Sequence, residues 1–249
     1  MPRDADNPRF FVPAVAGSAA LAPGAILDLP RTEAHHAAHV LRLREGDGVE
    51  LFDGRGASAD GRIRRMGRGE VEVAVEAARP AETRTPPILH LAFATPKGSR
   101  LDWLLEKATE LGAASLRPIV FERSVVRDDE LSPAKRAKWL GHAIAAAKQS
   151  GLNFLPQIEE PMTLAAYLKS AAPGLYGDLA DDAATLADAV SRLGEKELAI
   201  LVGPEGGITD VERAVLCKAR WTAVRLGRTT LRTETAAVAL LAAALAVWK

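Results

Sequence analysis

Cysteine is almost absent from this chain of 249 residues: Cys217 stands alone. A single thiol excludes a disulfide framework and any cysteine-based zinc site, and the scarcity fits a reducing cytoplasm. Within "VERAVLCKAR" it falls on a helical pattern, where a buried, inert thiol is expected. An excess of one charge is missing too. The 32 Lys and Arg balance 32 Asp and Glu, so bulk charge does not hold this chain to nucleic acid, and any such contact must come from local patches. Long apolar runs are also lacking. "MPRDADNPRF" has no apolar core of a secretory signal. The greasiest stretch, "AAVALLAAALAVW" at 236–248, falls short of the roughly 20 residues a membrane span needs. These absences lead to the expectation of a soluble, cytoplasmic protein with no membrane contact. Hydrophobic residues make up 48%, enough to bury a sizeable core without staples.

Two kinds of pattern divide the chain. "GVELFDGRGASADGRIRRM" and "GEVEVAVEAA" are short alternating runs separated by Asp-Gly and other glycine turns, with Val71, Val73 and Val75 on one face. One helix-like piece, "RTEAHHAAHVLRL", interrupts them. Residues 1–78 therefore read as a small β-rich domain, and "ARPAETRTPP" at 78–87 as a linker. From 86 to 249 short apolar strands alternate with helices, which predicts a mostly parallel sheet covered on both faces. Leu101, Leu104, Leu105, Ala108 and Leu111 form one helix face that stops at Gly112; Ser132, Pro133 and Gly151 bracket another helix.

Ligands of parallel sheets sit beyond the carboxyl ends of strands, and two strand-to-helix corners are unusual here. "LVGPEGGITDVE" places Thr209 and Glu212 at capping-box spacing. "VRLGRTTLRTETAAVALL" ends a strand at Leu226-Gly227 and starts a helix near Thr233. The first corner lacks the Lys-Ser/Thr of a phosphate-binding loop, and Glu205 would repel a pyrophosphate. A phosphate-free cation such as S-adenosylmethionine removes the contradiction; Glu205 capping a backbone amide is the other reading.

Taken together, "GPEGG" and "LGRTTLRTETAAVALLA" resemble the closing motifs of the RsmE-type methyltransferases of the SPOUT superfamily. "NPRFFV", "HHAAHVLRLREGDGVELFDGRG", "KGSRLDWLLEKATELGA", "ERSVV" and "KWLGHAIAAAKQSG" follow that family in order over nearly the whole chain. Lys148 and Leu152 depart from its usual pattern around the retained Gln149, and Thr229-Thr230 replaces a more usual Pro-Arg pair. The resemblance implies an α/β fold: a SPOUT trefoil-knotted parallel-sheet domain preceded by a β-barrel-like (PUA-like) RNA-binding domain. It implies a homodimer through the knotted domain and S-adenosyl-L-methionine as cofactor. It also implies methylation of N3 of a uridine in 16S rRNA of the small ribosomal subunit. Carried onto this sequence, the cofactor site comprises Tyr176, Leu201, Val202, Gly203, Pro204, Glu205, Gly206, Gly207, Ile208, Leu226, Gly227, Leu231, Arg232, Thr233, Thr235 and Ala236. Another RNA target atom, or a non-catalytic ribosome-assembly role, are the rival readings.

The uridine N3 proton must leave before or as the methyl arrives. Candidate catalytic groups are Arg232, Glu234, Arg123 and Arg9; an arginine would stabilise the developing anion. Glu234 either accepts the proton or supports the start of the last helix. For RNA, "GRIRRMGR" sets Arg62, Arg64, Arg65 and Arg68 on a hairpin, either a phosphate-binding strip or a solvated face. Arg9, His36, Arg42, Lys97, Arg100 and Gln149 extend the candidate RNA path. His35 and His39 in "HHAAH" have metal-helix spacing but lack the accompanying Glu and a third ligand, so no metal is expected.

Overall fold

The computed structural model describes residues 7–14, 21–67, 69–127, 130–180, 182–193 and 196–248. The chain forms two compact units, Met1–Arg84 with Ala147–Leu155, and Thr85–Ala146 with Pro156–Lys249.

In the first unit β1 (Arg9–Phe11), β2 (Ile26–Asp28), β3 (Gly48–Phe52), β4 (Ser58–Met66) and β5 (Val71–Ala78) make a curled sheet in the order β1-β3-β4-β5-β2. Only β1 and β3 pair in parallel; β3-β4 and β4-β5 are antiparallel, as their hairpin-length connections require, and β2 pairs antiparallel with β5. The alternation in β5 holds: Val71, Val73 and Val75 pack with Phe10, Val49, Leu51 and Ile63 in one core. The helix α1 (Arg31–His35) continues as a π-helical turn, His36–Val40. Gly56 carries φ of 108°, and a Cβ there would lie 2.5 Å from the Glu82 carbonyl oxygen, so only glycine fits this turn.

The second unit is a parallel sheet. Its strands are β6 (Ile88–Phe93), β7 (Ser115–Val120), β8 (Gln157–Ile158), β9 (Met162–Thr163), β10 (Leu175–Gly177), β11 (Ala184–Thr185), β12 (Glu197–Val202) and β13 (Thr222–Arg225). The order is β11-β13-β10-β12-β6-β7-β8, with β9 paired to β7. The helices are α2 (Ser99–Glu110), α3 (Pro133–Ser150), α4 (Leu164–Ser170), α5 (Leu186–Leu193), α6 (Asp210–Lys218) and α7 (Thr233–Val247). Alternate strand residues feed two cores. Leu89, Leu91, Phe93, Ile200 and Val202 meet α2, α5 and α7 on one face. Ala92, Ile119 and Leu201 meet α4 and α6 on the other. The expected face of α2 is buried at Leu101, Leu104, Leu105 and Ala108, and Gly112 takes φ of 74° to end the helix. Truncating a fully buried leucine such as Leu104 to alanine removes about 2–5 kcal/mol.

Cys217 is exposed, contrary to the expected buried thiol. The reason is geometric: α6 buries only Leu216, so its apolar pattern reports a narrow stripe that the next residue misses.

Candidate functional site

Three neighbouring strands, β13, β10 and β12, end at the same edge of the second sheet. The segments that leave them enclose a cavity of about 260 Å³. Its inner wall is apolar, from Val202, Ile208, Val224, Ala236 and Leu240. Its polar lining comes from Asp178, Arg213, Thr229, Thr230 and Thr233.

The first corner is rigid for local reasons. Gly207 takes φ of 76° and its amide donates to the Pro204 carbonyl at 2.9 Å, closing a turn that a side chain at 207 would strain. Thr209 and Glu212 form the expected capping box, which fixes the start of α6. The second corner is tied to the first by one bond: the Thr233 hydroxyl, at the start of α7, donates to the Gly203 carbonyl at 3.1 Å. Thr233 is buried and Gly203 half-buried, so this bond between the two glycine-bearing corners is partly shielded from water.

Of the residues assigned to a cofactor from sequence, Val202, Gly203, Pro204, Gly207, Ile208, Leu226, Gly227, Leu231, Thr233 and Ala236 line the cavity. The other six are placed differently. Tyr176 and Leu201 are paired in register on β10 and β12, and their side chains pack into the core that faces α4 and α6. Burial and nearby Asp178 push the Tyr176 hydroxyl above its ordinary range. Glu205 is exposed and pairs with Arg100 at 3.1 Å instead of capping an amide. The Gly206 carbonyl accepts from Arg123 at 3.0 Å. Arg232 is exposed at the N-cap of α7, and Thr235 is exposed one turn on.

Glu234 is 6% exposed in the first turn of α7, and its Oε2 is buried without a hydrogen-bond partner among the described residues. The N-cap side chain of that helix, Arg232, makes no capping hydrogen bond, and Glu234 is the acidic residue of its first turn. Arg123 anchors the first corner, and Lys97 is exposed in the turn before α2.

Sequence reasoning missed Asp178 and Arg213, which line the cavity as a bidentate pair with nitrogen–oxygen distances of 2.7 and 3.1 Å. The signal was present in part: "LYGDL" is a strand end beside the two corners, and Tyr176 was named two residues too early.

The remaining candidates lie in the first unit. Arg9 is buried, and its guanidinium donates to Glu50 at 3.0 Å, the Ala147 carbonyl at 2.9 Å and Asn153 Oδ1 at 2.5 Å. That set of partners makes Arg9 a structural tie within its unit. His36 is half-buried, and its Nδ1 accepts from Lys148 at 3.1 Å. Burial and the Lys148 charge together hold its imidazole below 6.5. Lys148, a departure from the family pattern, also pairs with Glu33 at 2.9 Å, which accounts for a cation at this position. Arg62 pairs with Glu76 at 2.7 Å, and Arg65 and Arg64 reach Glu72 at 2.5 and 3.6 Å. These three arginine side chains remain more than half exposed, at 54%, 56% and 56%. Arg42 and Gln149 are exposed; Arg68 lies outside the described residues. His35 and His39 stack at 4.7 Å, and among the described residues no group of three or more His, Cys, Asp or Glu is placed to hold a metal. No helix among the described residues is long and apolar enough to cross a membrane.

Comparison with known proteins sharpens this picture. The family model for the RNA methyltransferase domain matches residues 83–245, and that for the RNA methyltransferase PUA domain matches 29–76. A Bacillus subtilis relative, ribosomal RNA small subunit methyltransferase E, is 30% identical, the match covering 85% of this chain and 86% of that protein. The chain belongs to the ribosomal RNA small subunit methyltransferase E family. A Neisseria gonorrhoeae methyltransferase of the E family, crystallised bound to S-adenosyl methionine, is 31% identical and superposes with a TM-score of 0.85 over 97% of this chain and 98% of that one. A Legionella pneumophila methyltransferase in complex with the cofactor SAM is 30% identical, with a TM-score of 0.87 over 96% of this chain and 97% of its own.

Proposed function

We propose that this chain transfers a methyl group from S-adenosyl-L-methionine to N3 of a uridine in the 16S rRNA of the small ribosomal subunit, in the cytoplasm. The observation that carries the reading is the cavity lined by the two corners that the Thr233–Gly203 bond ties together. Its residues fit the cofactor's chemistry. An apolar wall suits an adenine, Gly227 leaves the space beside its main chain open, and among the described lining residues the one arginine, Arg213, is already paired with Asp178. Among the described lining residues no unpaired cation is present to favour a polyphosphate. S-adenosylmethionine supplies an electrophilic methyl group on a sulfonium.

The chain's own residues supply position and charge. Arg232, exposed at the N-cap of α7, has no ion-pair partner among the described residues and is the group we assign to the anion that develops on the uridine. Glu234, with one buried carboxylate oxygen lacking a partner among the described residues, is the candidate proton acceptor. Arg123 and Arg100 hold the first corner through the Gly206 carbonyl and Glu205. Residues 1–78 act as the RNA-binding domain, with the arginines of β4 on the RNA path, and 86–249 as the knotted methyltransferase domain. Ala242 and Leu245 on α7, and Trp103 on α2, remain exposed, which supports a homodimer built on this domain.

Mass mapping of 16S rRNA from a strain lacking this gene tests the reading. N3-methyluridine should vanish and return when the chain is supplied; an unchanged signal would overturn it.

A further inference from the structure

Asp178 is a cavity-lining carboxylate whose side chain is only 4% exposed. Its Oδ1 is saturated, accepting from the Leu179 amide at 2.7 Å, the Ala180 amide at 3.2 Å and Arg213 Nη2 at 3.1 Å. Among the described residues its Oδ2 accepts one bond, from Arg213 Nε at 2.7 Å. One acceptor position is left on a carboxylate fixed from three sides. The paired guanidinium neutralises the site and would repel an ammonium, so the matching donor is neutral, a hydroxyl or an amine. The cofactor carries hydroxyl donors on its ribose, next to the adenine that the apolar wall would cover.

We propose that Asp178 reads a ribose hydroxyl of the cofactor and that Arg213 is its positioning residue. This rests on the cavity being the cofactor site. Arg213, on α6, also reaches Asp210 at 3.3 Å. It thus links the end of β10 to the helix that follows the first corner and holds the carboxylate in one rotamer.

The test is calorimetric titration of the full chain with S-adenosylhomocysteine, its 2′-deoxy and 3′-deoxy forms, and 5′-methylthioadenosine, which keeps the ribose but lacks the amino-acid end. The unmodified chain should bind one deoxy form roughly 10- to 100-fold more weakly than the parent, the range for a hydrogen bond to a charged group. Asp178→Ala should weaken the parent and 5′-methylthioadenosine by that same factor and leave the affected deoxy form unchanged. Arg213→Ala should shrink the hydroxyl preference and Arg213→Lys should restore part of it. A purely structural Arg213 would change melting without changing preference, and the two Arg213 variants carry the test should Asp178→Ala fail to fold. Equal losses for parent and deoxy ligands would overturn the proposal. A loss confined to S-adenosylhomocysteine would also overturn it, by placing an ammonium on Asp178. An unmodified chain that binds none of these ligands would instead remove the cofactor reading itself, and this role with it.

Discussion

The Thr233–Gly203 bond offers a direct probe of how the site is built. Thr233→Val keeps the shape of the side chain and removes the hydroxyl, leaving the Gly203 carbonyl without its donor. Thr233 is 3% exposed while Gly203 is half-buried, so water relieves part of the orphaned carbonyl. The net loss is then about 1–2 kcal/mol, between an ordinary hydrogen bond and a fully stranded acceptor. In a unit of this size that corresponds to a fall of roughly 2–8 °C in melting temperature. Freeing one corner also costs pre-organisation, worth about fivefold in affinity for S-adenosylhomocysteine if about 1 kcal/mol is involved. Differential scanning fluorimetry and calorimetry measure the two effects, and Thr233→Ser should recover most of both. A valine variant that melts and binds like the parent would refute the idea that this bond holds the corners together.

Other outcomes follow from the same geometry. Glu72→Gln with Glu76→Gln releases Arg62, Arg64 and Arg65 from their ion pairs and should tighten RNA binding with a steeper salt dependence. Replacing the three arginines should do the reverse, and matching salt slopes would make the hairpin a solvated face. His36 should titrate below 6.5 by NMR, because burial and Lys148 both disfavour its cation, and Lys148→Met should raise it. Its folded value is depressed, so stability is fully present above pH 6.5 and falls as pH drops through the unfolded and then the folded value. A His36 pKa unmoved by Lys148→Met would contradict the assigned cause. Arg232→Ala should lower turnover by roughly 100- to 1,000-fold while leaving S-adenosylhomocysteine affinity within about twofold; an equal loss in both would make Arg232 a cofactor ligand only.

Locally encoded features were legible in the sequence. The α2 face, the capping box at Thr209 and Glu212, and the buried valines of β5 each depend on residues within a few positions of one another. The two corners could be read because each carries its own strand end, glycines and helix start. Features made by distant residues were not. Arg9 and Asn153 meet across 144 positions, and no local pattern says that residues 147–155 pack with the first unit. The Asp178–Arg213 pair joins the end of β10 to α6, and neither residue is unusual where it stands. Glu205 posed a question of charge that its neighbours could not answer; its partner, Arg100, lies 105 positions away.

The most direct measurement is a crystal structure of the full chain grown with S-adenosylhomocysteine. The account requires the ligand to lie between residues 203–208 and 226–236, with its adenine against Val202, Ile208 and Leu240. Ligand density bound elsewhere on the chain, with this cavity empty, would contradict it.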